Sequence, residues 1–303
     1  MLTRAESLGR KASFCQNRGG FHRAKRYFLE AHVIYQKTRD PLGVIDTAHA
    51  LGDVHRQLED FAWARQWYQK VLRIQPQNID SQLGLALCLR GEGKYRPAIA
   101  AFKRCLKTYT RARDHEARAY VHWAIGTTQR FAEDFAPAEK NLRASLALAK
   151  KLKDKSSEAY ARAGLGGTLR MRGRYKESGA EYKRAFAIFR REKDNFGLAY
   201  SSCGQGNALR MQNKPRLGIP FMKRAINLYR TLNLKGPRAY VLWSLSQAEL
   251  MIGRVRDANI HLNEAEKLFR AVNDRRGLSY VSKGRAIYRG VLKTPSLQPT
   301  QIP

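Results

Sequence analysis

Short two-residue steps recur along this chain in a fixed phase: Leu51-Gly52, Leu85-Ala86, Ile125-Gly126, Leu165-Gly166, Gln205-Gly206 and Leu245-Ser246. The first interval is 34 residues and the next four are 40 each. Twelve residues after each step stands a small residue: Ala64, Ala98, Ala138, Ser178, Gly218 and Ala258. Four further on comes a large apolar one: Tyr68, Phe102, Leu142, Tyr182, Met222 and Leu262. Three beyond that, Cys105, Ser145, Ala185, Ala225 and Ala265 are small again. A weaker copy precedes these (Ala12, Phe21, Ala24, Phe28, Ala31), and a half copy follows at Tyr280 to Arg289. Self-similarity at such a period marks stacked supersecondary units, so the chain is expected to be an array rather than a globule built around one core.

Each unit reads as helix–turn–helix. Small residues let two antiparallel helices approach, and the large ones at helical spacing fill the seam to the next unit. The turns are expected at Gly19-Gly20, Glu59-Asp60, Gly93-Lys94, Glu133-Asp134, Gly173-Arg174, Asn213-Lys214 and Gly253-Arg254. Loops rich in Asp and Gly with basic residues separate the units, and several of their Asp and Ser residues are suited to cap helices.

With Leu51, Gly52, Phe61, Ala64, Tyr68 and Pro76, the second unit resembles the tetratricopeptide repeat. The 40-residue spacing is similar to the longer-repeat branch of Pins/LGN-type scaffolds and kinesin light chains. The resemblance covers about residues 5 to 290. It implies an all-α, right-handed α-solenoid of about seven helix pairs plus a capping helix, with the extra residues lengthening the second helix and its following loop. The expected repeats lie near 5–38, 45–78, 79–112, 119–152, 159–192, 199–232 and 239–272, with the capping helix at 275–290, all within a superhelix over 1–292. Residues 293–303 hold three prolines and no periodicity, and are expected to be disordered.

The same resemblance implies that the first helix of each unit lines a concave face through its second, fifth, ninth and twelfth repeat positions, which share one helical stripe. The twelfth is Arg56, Arg90, Arg130, Arg170 and Arg210 in successive units, then Leu250. The second becomes Tyr120, Tyr160, Tyr200, Tyr240 and Tyr280 after Asp46 and Asp80. Trp123 and Trp243 take the fifth; Thr127, Asn207 and Gln247 take the ninth. Early acids, Asp46, Asp53 and Asp80, can pair Arg56 and Arg90 internally. Arg130, Arg170 and Arg210 have no carboxylate in the stripe, so an external anion is expected there, because guanidinium grips carboxylate or phosphate through paired hydrogen bonds. The bland alternative is a solvated, helix-forming arginine. The tyrosines have a bland role too, packing on a neighbouring unit and hydrogen-bonding outward.

Composition bears on the partner. Lys and Arg number 57 against 25 Asp and Glu, a net charge of +32, and such a field favours polyanions. The expected function is a non-enzymatic protein–protein adaptor gripping an acidic or phosphorylated segment. The alternative is RNA binding on the same basic surface. A third class, a bacterial regulator whose solenoid closes around a small signal peptide, stays open. No P-loop, nucleotide fingerprint or HExxH occurs, and no cofactor, metal or catalytic residue is expected. The four cysteines lack CxxC spacing, which fits a reducing compartment, and the expected location is cytoplasmic. No apolar run is long enough to span a membrane. Met1 to Cys15 lacks a secretory apolar core; its basic character suits a mitochondrial presequence, yet the repeat pattern uses most of it as a helix. Cys203, on the inner stripe, is the one thiol read as a candidate for reactivity.

Overall fold

The computed structural model describes residues 1–293, and among these there are fifteen helices and no strand. They form an all-α solenoid fold that divides into two compact units, Met1–Asp134 and Phe135–Pro303. Residues 294–303, most of the tail expected to be disordered, lie outside the described residues.

The first unit contains α1 (Leu2–Asn17), α2 (Phe21–Lys37), α3 (Pro41–Gln57), α4 (Phe61–Ile74), α5 (Ile79–Gly91), α6 (Tyr95–Arg111) and α7 (His115–Phe131). The second contains α8 (Phe135–Lys151), α9 (Lys155–Met171), α10 (Tyr175–Arg191), α11 (Asn195–Met211), α12 (Pro215–Thr231), α13 (Lys235–Leu250), α14 (Val255–Ala271) and α15 (Arg275–Lys293). Odd-numbered helices are the first helices of the repeats, and even-numbered ones the second.

Chain reversals explain why the phase is so regular. Each turn foreseen between the helices of a pair begins with a left-handed residue: Gly19, Glu59, Gly93, Glu133, Gly173, Asn213 and Gly253. Left-handed backbone at a helix end satisfies the last orphan carbonyls, and glycine or asparagine adopts it at least cost. The next first helix then opens on a side-chain cap. Asp40, Asn78, Asp114, Asp154, Asp194 and Asp274 each accept from a backbone N–H three residues on, at 2.8–3.0 Å. Such a cap contributes about 1 kcal/mol. At α13 the capping position is Leu234, which makes no side-chain cap.

The small residues serve close approach. Tyr68 of α4 wedges between α3 and α5, where a Cβ on Gly52 would lie 2.6 Å, and one on Gly84 2.4 Å, from its ring. Tyr182 of α10 repeats this between Gly166 of α9 and Gly204 of α11. Both rings are buried.

The change from 34 to 40 residues is located differently from the family-based expectation. Helix α4 has 14 residues and α5 has 13, whereas α6 and α7 have 17 each. The added residues lengthen the second helix and the start of the following first helix. The loop between them becomes shorter by one residue, from Gln75–Asn78 to Ala112–Asp114. The second repeat position lies inside the first helix at both lengths, as Asp80 in α5 and as Tyr120 in α7.

Candidate anion site on the first helices

The five arginines foreseen on the inner stripe all stand in the last turn of a first helix: Arg56 on α3, Arg90 on α5, Arg130 on α7, Arg170 on α9 and Arg210 on α11. A cation is favoured there by the helix dipole by roughly 0.3–1 kcal/mol. Dipole preference alone does not account for their placement. Arginines in the last turn of second helices, such as Arg111, Arg190 and Arg230, are exposed, while all five on the first helices are half-buried.

In the first unit, Arg56 is neutralised at home. Its Nη2 donates to Asp53 Oδ1 at 2.9 Å, and its Nε to the Tyr68 hydroxyl at 3.3 Å. That hydroxyl donates to the same carboxylate oxygen at 2.8 Å. His49 Nε2 lies 3.3 Å from the other oxygen. Burial pushes the Asp53 carboxyl up, but hydrogen bonds from His49, Arg56 and Tyr68 outweigh it and hold the group at about 2. Arg90 differs from expectation: no acid pairs with it, and Asp46 and Asp80 are exposed to solvent. Its guanidinium instead lies 5.8 Å above the Trp123 ring, which itself sits 5.8 Å from Tyr120. Burial, with Arg56 nearby, holds the Arg90 guanidinium below its ordinary value. Arg130 packs over Phe131 at 4.7 Å, and its Nε is buried without a hydrogen-bond partner. Tyr120 is 40% exposed, so its ring is accessible. Thr127 is buried and donates to the Trp123 carbonyl at 2.9 Å.

In the second unit the stripe runs through Arg170, Cys203, Asn207 and Arg210. Arg210 Nε is buried with no partner. Burial, and then the like charge of Arg170, pull the Arg210 guanidinium down to about 10, so it remains a cation at neutral pH. Asn207, buried, donates to the Cys203 carbonyl at 3.2 Å and to its Sγ at 3.4 Å. Burial pushes the Cys203 thiol up to about 11, against the opposing pull of Arg170, Asn207 and Arg210. The expectation of a reactive thiol is therefore corrected: a thiolate forms too rarely near neutral pH to be an effective nucleophile.

The aromatic and amide positions divide between packing and accessibility. Tyr160 donates its hydroxyl to Asp194 Oδ2 at 2.6 Å, and Tyr240 does the same to Asp274 Oδ2 at 2.8 Å. Both acids also cap the next first helix, so each tyrosine stitches its repeat to the following one. Their rings stack edge-on against Phe189 and Phe269 at 4.9 and 4.8 Å. Trp243 donates Nε1 to the Tyr280 carbonyl at 3.1 Å and stacks on that ring at 5.1 Å, docking α15. Tyr200 lies half-buried between Tyr182 and Phe196. Gln247 Nε2 is buried and unpartnered. Sequence reasoning missed Asp194 and Asp274 as acceptors, although a fixed offset of 34 residues from each tyrosine was there to be read.

Repeated helix pairs, with half-buried arginines in the last turn of successive first helices, define a helical-repeat protein. The tetratricopeptide repeat family model matches residues 3–77 and 78–151, and the chain is a tetratricopeptide repeat protein. A comparison with curated proteins gives no sequence match. Among solved structures, the apo form of RapI superimposes with a TM-score of 0.74 at 13% identity, over 89% of this chain and 98% of that one. A Rap protein complexed with Competence and Sporulation Factor gives 0.72 at 11% identity, over 89% and 76%. A tetratricopeptide repeat protein from Parabacteroides merdae ATCC 43184 gives 0.63 at 16% identity, over 93% and 99%. At these identities the likeness is one of fold. Among the described residues no helix is long and apolar enough to cross a membrane.

Proposed function

We propose that this chain is a non-enzymatic binding scaffold whose inner-face arginines hold an acidic or phosphorylated segment of a partner protein. The observation that carries this reading is the Arg170–Arg210 pair. Two like charges are held near each other, one with a buried and unpartnered Nε, and among the described residues no carboxylate pairs with either. Leaving such a charge uncompensated costs stability, and an incoming carboxylate or phosphate removes that cost while gaining paired hydrogen bonds. Neighbouring packed helices lie roughly 8–10 Å apart, and extended chain advances about 3.3 Å per residue. A segment crossing α9 and α11 would therefore present an acid about every third residue. A Rap protein of the same fold is known in complex with Competence and Sporulation Factor, which supports a ligand-holding role for this architecture.

The test is a pull-down from native lysate, comparing wild type with an Arg130→Ala/Arg170→Ala/Arg210→Ala variant, with and without nuclease. A specific protein lost in the variant but resistant to nuclease is the expected result. Identical captures from both, or proteins that vanish with nuclease, would remove the reading.

A further inference from the structure

The cations that do not face inward are also in phase. On α10, Lys176, Lys183 and Arg190 stand seven residues apart; on α12, Arg216, Lys223 and Arg230 do the same, each exactly forty residues after its counterpart. All six are exposed. Seven residues is close to two helical turns, so each trio forms one line down its helix at a pitch of about 10.5 Å. The two lines are neighbours: the Arg224 guanidinium of α12 lies 5.4 Å from the Phe186 ring of α10 and 5.8 Å from Phe221 of its own helix.

These charges are largely unspent. Helix α12 contains no acid, and the acids of α10 are engaged by other residues: Glu177 by Arg174, Glu181 by Arg162 and Arg184. Among the described residues, only Arg230 of the six has a side-chain hydrogen bond, to Asn227 Oδ1 at 2.6 Å. We infer that the outer face made by α10 and α12 is a docking surface for the phosphate backbone of double-helical nucleic acid. An acidic peptide strand would meet one row of charges. A duplex presents two phosphate rows flanking a groove about 12 Å wide in B-DNA, which two neighbouring cation rows can straddle. The contacts involve no base edge, so binding is sequence-independent. This surface is separate from the inner arginines and does not rest on them.

The experiment titrates full-length protein against labelled random-sequence RNA and DNA duplexes, by fluorescence anisotropy, between about 50 and about 200 mM salt. Wild type is compared with a Lys183→Ala/Arg216→Ala/Lys223→Ala variant, a Lys183→Arg/Lys223→Arg variant and an Arg170→Ala/Arg210→Ala variant. Thermal melts establish that each folds. The alanine triple variant is expected to bind about tenfold or more weakly and to lose close to three from the salt slope, because each phosphate contact contributes about 0.9. The charge-preserving variant and the inner-face variant should bind like wild type. An unchanged affinity and slope in the triple variant would overturn the inference. So would an equal loss in the inner-face variant, or wild-type binding to phosphatidylserine vesicles without binding to duplexes.

Discussion

Arg56 and Arg210 occupy the same place in two repeats, one in each unit, yet one is satisfied and the other is not. The residue three before Arg56 is Asp53, which accepts from it at 2.9 Å. The residue three before Arg210 is Asn207, whose amide turns back to Cys203 and leaves the Arg210 Nε without a partner. Two replacements, amide for carboxylate at Asn207 and Met222 for the Tyr68 whose hydroxyl meets the Arg56 Nε, separate a closed ion-pair network from an open cation. The comparison teaches that an arginine column is not by itself a binding site. What matters is whether its own helix supplies the counter-charge.

The sharpest way to break the comparison is to exchange that group. Asn207→Asp should close the second unit's site as Asp53 closes the first, and should weaken capture of the acidic partner by about a hundredfold, or ~2.7 kcal/mol. Quantitative binding with a captured partner peptide checks this, and undiminished affinity would mean that Arg210 is not the contact. The reverse exchange, Asp53→Asn, removes the negative charge and one of the two acceptor oxygens shared by Arg56, Tyr68 and His49. These groups are only partly shielded from water, so the loss should be about 2 kcal/mol rather than that of a deep ion pair, read by denaturant unfolding. Neutralising the arginines should then give opposite signs. Arg210→Met removes an uncompensated cation and is expected to stabilise by about 1 kcal/mol, whereas Arg56→Met strands Asp53 and should destabilise by a similar amount.

Acid should dissolve the first unit's advantage. The Asp53 carboxyl is held at about 2 in the folded protein against 3.8 in the unfolded chain. A folded value below the unfolded one contributes stability that is complete above about pH 4 and is lost as pH falls towards 2. The stability gap between wild type and Asp53→Asn should therefore be constant from pH 5 to 6 and shrink below about pH 4. His49, hydrogen-bonded to Asp53, is raised from 6.5. Its own contribution is present below that value and fades as pH rises through the folded one.

Much of this was legible in the sequence because it is periodic. The turn residues, the small–large packing rows and the arginine column each recur at one offset, and the acid-poor stretch around Arg170 and Arg210 could be read directly. Side-chain direction was not legible. Nothing local says that Tyr160 spends its hydroxyl on Asp194, since that bond crosses to the following repeat. Nor does the stripe reveal that Arg90 lies over Trp123 and leaves Asp80 to solvent, because two helices must first be packed to bring that ring beneath the guanidinium. The location of the extra residues was misjudged for a related reason: a longer repeat fixes the total, and the caps Asn78 and Asp114, which set where α5 and α7 begin, decide how it is divided.

The smallest effect lies at Cys203, and it reports on the open site from within. Burial places its thiol at about 11, while the positive charges of Arg170 and Arg210 pull in the opposite direction. Alkylation requires the thiolate, so its rate at mildly alkaline pH measures how much of that positive field remains. An anion held between the two arginines cancels part of the field, raises the thiol further and should slow alkylation severalfold. Asn207→Asp should produce the same slowing without any ligand, and Arg210→Met should approach it. Asp53→Asn, acting in the other unit, should leave the rate unchanged. Mass spectrometry of the Cys203 peptide measures the rate in wild type, with and without ligand, and in each variant. A ligand that binds tightly yet leaves the Cys203 rate untouched would place the partner somewhere other than on Arg170 and Arg210, and would reduce the contrast with Arg56 to one of stability alone.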